Sequence, residues 1–269
     1  MFSITREQKI HYTLRIAIAM CFIGHGAFGI ITKPIWVNYF AVFGIGHDMA
    51  YRLMPVLGSF DIFCGLIMLV FPIRAIPLWL VVWGVLTASL RPLSGEPFAE
   101  LIERAGNFGA PLALLITSGG IQKNLKNLFI PINPNVTVDE KTYARLFLCL
   151  RIVVFLLLAG HGWLNLIEKK GLINQYKTLG FSDPLIIAKA IGIFEIISAF
   201  AVLIKPFRPM ILGLIIWKIA SEFFYPHYEL FEWVERGGSY GSLLALWFLL
   251  DTNSSLIENK IFKQKFQSV

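Results

Sequence analysis

The chain has 269 residues, 56% of them apolar and 15% charged, with 24 basic against 17 acidic side chains and a mean hydropathy of +0.67. Soluble domains carry roughly 45–50% apolar and about 25% charged residues, which excludes a water-soluble globule. At about 20 residues per spanning helix, the apolar content provides roughly six to eight spans and little else. The net charge of +7 reads as membrane topology rather than nucleic-acid binding, because no soluble stretch interleaves basic and aromatic residues.

In chain order, apolar runs fall at 12–31, 51–71, 75–91, 105–121, 143–167, 184–204, 207–225 and 237–251. They predict an all-α membrane protein with eight transmembrane helices. Arg6, Lys9 and Arg15 lead into the first run as in a secretory signal, but the run continues to Ile31 without a small-x-small cleavage site, so it reads as a retained helix. Turn chemistry separates later runs at Phe71-Pro72-Ile73-Arg74, Ile132-Asn133-Pro134-Asn135 and Lys205-Pro206-Phe207-Arg208-Pro209. Cys21, Cys64 and Cys149 lie inside apolar runs without a CxxC, which points to buried free thiols rather than a disulfide or a redox pair.

With eight spans, the N-terminus, the 72–77 turn, the 122–145 segment, the 205–209 turn and the tail share one side of the membrane. They carry thirteen Lys and Arg against five acids, and the opposite loops carry eight against nine. Both termini are therefore expected in the cytoplasm. The remaining charges, Asp61, Arg151, Lys189, Glu195, Lys218 and Glu222, fall within the spans.

The chain also repeats itself. Arg15-Ile-Ala-Ile-Ala-Met-Cys-Phe-Ile-Gly-His-Gly26 matches Arg151-Ile-Val-Val-Phe-Leu-Leu-Leu-Ala-Gly-His-Gly162 at an offset of 136. At 134, Gly58-Ser-Phe-Asp61 pairs with Gly192-Ile-Phe-Glu195, and Trp83 with Trp217. At 132, Glu100-Leu-Ile-Glu-Arg-Ala-Gly-Asn-Phe-Gly109 pairs with Glu232-Trp-Val-Glu-Arg-Gly-Gly-Ser-Tyr-Gly241. The expected organisation is a four-helix unit over 1–121, a cytoplasmic linker over 122–142, a second unit over 143–251 and a cytoplasmic tail over 252–269. An even number of spans per unit makes the repeats parallel rather than inverted.

An Arg near the start of the first helix, a Gly-His-Gly after it, an acid in the second helix and a short glycine-rich fourth helix resemble the DoxX family of small four-helix bacterial membrane proteins. The resemblance covers nearly the whole chain, once per half. It implies a bacterial inner-membrane protein and, from some members of that superfamily, a membrane subunit linked to redox chemistry with a quinone as acceptor. The tandem arrangement departs from the common single unit.

His25 lies ten residues beyond Arg15, about 15 Å along a helix and near the middle of a core roughly 30 Å thick. Asp61 reaches that level from the other side, so His25 and Asp61 are expected to meet, and His161 and Glu195 likewise. Ionisable groups at that depth are costly and point to function or to pairing inside the bundle. Such a pair serves as a proton relay, as hydrogen-bonding groups for a quinone carbonyl, or only as polar glue between helices. Haem or metal ligation is disfavoured, because each helix offers one His with no second ligand at i+3 or i+4.

Lys218 and Glu222 stand i, i+4 on one helix face, where the first half has Gly84 and Ala88. The second unit is therefore expected to hold a polar pocket of His161, Glu195, Lys218 and Glu222, with the first mainly scaffold. Arg104 and Arg236, beside glycine-rich helix starts on the outer side, are anion-site candidates, unless neighbouring glutamates such as Glu96, Glu100, Glu229 and Glu232 neutralise them. Trp83 and Trp217 lie too deep for an interfacial belt and are assigned to helix packing or to stacking on a quinone. Three functions remain open: a redox accessory holding a quinone or similar lipophilic carrier for a soluble or membrane partner, a proton-coupled transporter, and a non-catalytic scaffold. Without a nucleophile and base, a phosphate loop or metal-ligand spacing, a self-contained enzyme is disfavoured.

Overall fold

A computed structural model of the chain describes residues 4–120, 124–135, 137–223 and 230–250. Among them the structure is all helical, with no strand beyond one isolated bridge between Ile73 and Pro131. The helices are α1 (Arg6–Ile30), α2 (Trp36–Ala41), α3 (His47–Val70), α4 (Ala75–Leu93), α5 (Ala99–Glu103), α6 (Ala105–Thr117), α7 (Glu140–Leu166), α8 (Lys170–Thr178), α9 (Pro184–Ile204), α10 (Arg208–Phe223), α11 (Leu230–Glu235) and α12 (Gly237–Leu249).

Local chemistry sets where several of these helices begin. Thr5 and Gln8 form a reciprocal capping box ahead of α1. Asp139 accepts from the Thr142 amide at 3.0 Å, which starts α7 at Glu140, inside the expected linker and ahead of the apolar run. Asp183 caps α9 at the Ile186 amide, with Pro184 in the first turn. In the described part of the linker, residues 125–129 form a 3-10 helix, and Arg74 donates to the Asn127 carbonyl there and to that of Ser118 ahead of it. The unit boundary at 121/122 and the 252–269 tail lie outside the described residues.

Five helices, α1, α3, α4, α7 and α9, are long and apolar enough to cross a membrane. Their outward faces carry large apolar side chains, as on α9, where Ile186, Ile193, Ile197 and Ile204 are all exposed, as befits a membrane-embedded bundle. The fourth and eighth runs form the short helices α6 and α12, of 13 residues each, and the seventh forms α10, described over 16 residues up to Phe223. At Arg104 and Arg236 the chain leaves helical geometry, with φ −89°, ψ 15° and φ −83°, ψ 8°, so that α5 and α11 stand as separate short helices ahead of α6 and α12. At each break a part-buried arginine reaches ionic partners inside the bundle.

Packing is closest where glycines remove side chains. A methyl group on Gly26 would lie 2.5 Å from the Gly58 carbonyl oxygen, so α1 and α3 cross almost backbone to backbone. In the same way, one on Gly238 would lie 2.4 Å from the Gly106 carbonyl oxygen, where α6 meets α12. The first helix of each half packs on the last helix of the other, α1 on α12 and α7 on α6. Leu14, Ile18, Phe22, Leu114, Leu150, Leu157 and Leu246 fill one apolar core shared by both halves.

Candidate functional site

Each half encloses a cavity beside its mid-helix histidine. The first, of about 310 Å³, is walled by Trp36, Phe40, Phe43, Leu57 and Trp83, and its polar lining is His25, Asp61, Thr87, Arg91, Arg104, Asn107 and Tyr39. The second, of about 320 Å³, is lined by His161, Gln175, Tyr176, Leu179, Phe181, Trp217, Ser221 and Glu222. The first half, expected to be mainly scaffold, holds a cavity as large as that of the second, with Gly84 and Ala88 of α4 in its lining.

In the second half the expected pair forms. His161 Nδ1 lies 2.6 Å from Glu195 Oε2, and the Trp217 indole N–H donates to Glu195 Oε1 at 3.0 Å. Both carboxylate oxygens are satisfied at 1% exposure. Around them, Tyr176 donates to Asn165 Oδ1 at 2.6 Å, and Asn165 donates to the His161 carbonyl at 3.1 Å. The two tryptophans therefore line cavities and address the carboxyls, beyond packing helices.

In the first half the expected pair does not form. His25 Nε2 lies 3.3 Å from Asn107 and 3.9 Å from Glu235, and a void of about 10 Å³ is lined by both His25 and Asp61. The reason is reach. Aspartate is one methylene shorter than the glutamate at the matching place, and Asn107 and Glu235 offer the imidazole partners on its other side. Trp83 stands beside the Asp61 carboxyl, whose Oδ1 is buried without a hydrogen-bond partner among the described residues.

Lys218 and Glu222 pair at 2.7 Å, both almost wholly buried, but this is the end of a longer chain of charges. Glu222 also binds Arg236 at 2.8 Å. Arg236 binds Glu103 at 2.7 Å, and Glu103 binds Arg104 at 2.7 Å. Arg104 binds Glu100 at 2.8 Å, where Lys169 also pairs, and Arg91 links Glu100 at 3.3 Å to Glu96 at 3.1 Å. Nine side chains thus run from the wall of the first cavity to the wall of the second. Arg104 and Arg236 are held by glutamates inside the bundle rather than offered to an anion on its outer side. Of the glutamates named for that neutralisation, Glu96 and Glu100 belong to the chain, Glu232 pairs instead with Lys33 at 3.0 Å, and Glu229 lies outside the described residues.

Lys189 does not join the site. It turns outward to Glu168 at 3.2 Å and is more than half exposed. Arg15 and Arg151 close the C-terminal ends of α3 and α9, donating to the carbonyls of Met68 and Leu69 and of Leu203 and Ile204, which leaves neither arginine in a cavity. Cys21 and Cys64 are buried free thiols and Cys149 is half-buried. Among the described residues, no group of three or more His, Cys, Asp or Glu is arranged to hold a metal ion.

Sequence reasoning missed Glu103 and Lys169, because their partners lie far away in the chain. A signal existed: Lys33 and Lys169 stand at the first-helix offset of 136, and Glu232 and Glu100 at the fourth-helix offset of 132, so one cross-half pair implies the other. Comparison with known proteins finds no family model, no curated relative and no solved structure that matches this chain.

Proposed function

We propose that this chain is a DoxX-like protein of the bacterial inner membrane, built of eight spans in two parallel four-helix units with both termini in the cytoplasm. In this reading it holds a lipophilic carrier of the quinone class for a separate redox partner. Duplication is supported by contacts that recur at the sequence offsets. Arg15 and Arg151 cap α3 and α9 alike, Gly26 meets Gly58 as Gly162 meets Gly192, and Lys33 pairs with Glu232 as Lys169 pairs with Glu100. Exchange of contacts between halves is what an axis along the membrane normal requires of parallel repeats. Orientation rests on the distribution of Lys and Arg. Single cysteines introduced as Lys126→Cys and Lys170→Cys are expected to label from opposite sides of the membrane, and labelling from one side overturns the eight-span topology.

The observation that carries the ligand reading is the first cavity. An apolar, aromatic-walled space with a few convergent polar groups is the general form of a small-molecule site, and the apolar walls here favour a lipophilic ligand. Solvent extraction of the purified full chain is expected to release a lipophilic quinone in near-stoichiometric amount, and Leu57→Trp, which fills the cavity, is expected to deplete it. Quinone at the level of the detergent background in both proteins overturns the reading.

The nine-residue ionic chain favours a second reading, proton-coupled transport of a small solute between the cavities. Liposomes holding the full chain and a pH dye would then acidify under an imposed potential faster than empty ones; equal rates exclude it.

A further inference from the structure

The walls of the second cavity stand in register with those of the first. Tyr176, Leu179 and Phe181 lie 136 residues beyond Phe40, Phe43 and Ile45, and Trp217 and Ser221 lie 134 beyond Trp83 and Thr87. A chance gap in helix packing would not recur at matching positions, so the space is a feature of the fold.

His161 turns one ring nitrogen to protein and the other to this space. Nδ1 lies 2.6 Å from Glu195 Oε2, and the other oxygen of Glu195 accepts from Trp217, so the carboxylate that orients the ring is itself held in place. A neutral imidazole carries a single N–H, and a carboxylate at one nitrogen draws the proton there. Nε2 is left as a lone pair. It has no partner among the described residues and, unlike Asp61 Oδ1, it is not sealed off; the ring lines the cavity with 11% of its side chain exposed.

The other polar groups on this wall direct their protons at protein. Tyr176 donates to Asn165 at 2.6 Å, Ser221 to the Lys218 carbonyl at 2.9 Å, and Gln175 to the Ser221 carbonyl at 3.3 Å. What faces an occupant is therefore mainly acceptor, beside the apolar surfaces of Leu179, Phe181, Ile191 and Trp217. An anion would meet lone pairs. A cation would find no unpaired carboxylate on the wall, because Glu222 is held by both Lys218 and Arg236. We propose that the second cavity binds a neutral apolar molecule through a hydrogen-bond donor, an O–H or N–H given to His161 Nε2. This adds a site to the carrier reading, which rests on the first cavity, and it stands or falls independently of that reading.

The test uses the full chain with Leu57→Trp, which fills the first cavity, in lipid nanodiscs, with empty nanodiscs as the blank for partitioning. Calorimetric titration compares 4-hexylphenol with 4-hexylanisole, which has the same body with its hydroxyl capped by methyl. The phenol is expected to bind about tenfold tighter, the ratio that one hydrogen bond supplies. A second pair, 4-hexylaniline and its N,N-dimethyl derivative, makes the same comparison for N–H, and the pair with the larger ratio names the donor. His161→Phe, which keeps a ring without the acceptor, is expected to bring each pair within about twofold. Where that variant does not fold, nitrogen chemical shifts of His161 in the Leu57→Trp chain decide: the donor-bearing ligand is expected to move Nε2 and its capped counterpart to leave it in place. Equal binding within both pairs overturns the inference and leaves the first cavity's reading untouched. Saturable binding of none of the four ligands overturns it too. So does a preference that survives in His161→Phe, or an Nε2 that already carries a proton before ligand is added.

Discussion

His25 and His161 stand at matching points of α1 and α7, yet the carboxyls facing them behave differently. Glu195 is long enough to accept from His161 on one oxygen and from Trp217 on the other. Asp61 stops one methylene short, His25 turns toward Asn107 and Glu235, and an acceptor is left over. The matched positions on α4 and α10 differ as well. Gly84 and Ala88 bring no charge to the first cavity, which meets the ionic chain through Arg91 and Arg104, whereas Lys218 and Glu222 form the end of the chain at the second. One packing scheme thus supports two different chemistries, because helix crossings depend on small residues at a few positions while cavity character depends on side chains one or two atoms longer or shorter.

The comparison breaks first at the centre of the ionic chain. Glu103 holds one arginine from each half, so Glu103→Gln is expected to leave Arg104 with Glu100 alone and Arg236 with Glu222 alone and to cost about 3–5 kcal/mol, the usual penalty for removing one partner of a buried pair. Thermal unfolding in detergent measures it, and a loss no greater than that of an exposed Glu168→Gln would dissolve the chain as a structural unit. Next in size, Glu222→Gln removes the partner of both Lys218 and Arg236, whereas Lys218→Met leaves Glu222 with Arg236. The first is expected to destabilise more, and equal losses would show that the pair stands apart from the chain. For the same reason Lys218→Met combined with Glu222→Leu, neutral for an isolated pair, is expected to remain destabilised through Arg236.

Glycine packing separates the halves by a smaller margin. A methyl on Gly26 would lie 2.5 Å from its nearest backbone neighbour, and one on Gly162 would lie 2.9 Å away. Both Gly26→Ala and Gly162→Ala overpack a crossing, at about 1–3 kcal/mol, with Gly26→Ala expected to be the costlier; the reverse order would mean that α1 and α3 relax more readily than α7 and α9. The smallest effect, about 1 kcal/mol net, is expected from Glu195→Asp, which shortens the acid and gives the second half the gap of the first. Nitrogen chemical shifts of His161 should report loss of the Nδ1 contact, and an unchanged spectrum would show that side-chain length is not what separates the two pairs.

What the sequence determined by itself is local. An all-helical membrane-embedded chain follows from its apolar runs, and the meeting of His161 with Glu195 follows from counting residues, because helical rise is fixed by backbone geometry. The Lys218–Glu222 contact follows from i, i+4 spacing in the same way. Only the tertiary structure decided that Lys169 reaches Glu100 and Arg236 reaches Glu103, and that Asp61 is left without His25. These depend on which helices become neighbours and how closely they approach, and that is set by glycine contacts such as Gly106 on Gly238 between segments more than a hundred residues apart. Residue spacing fixes depth along a helix axis, but rotation about that axis toward one neighbour or another is a property of the packed bundle.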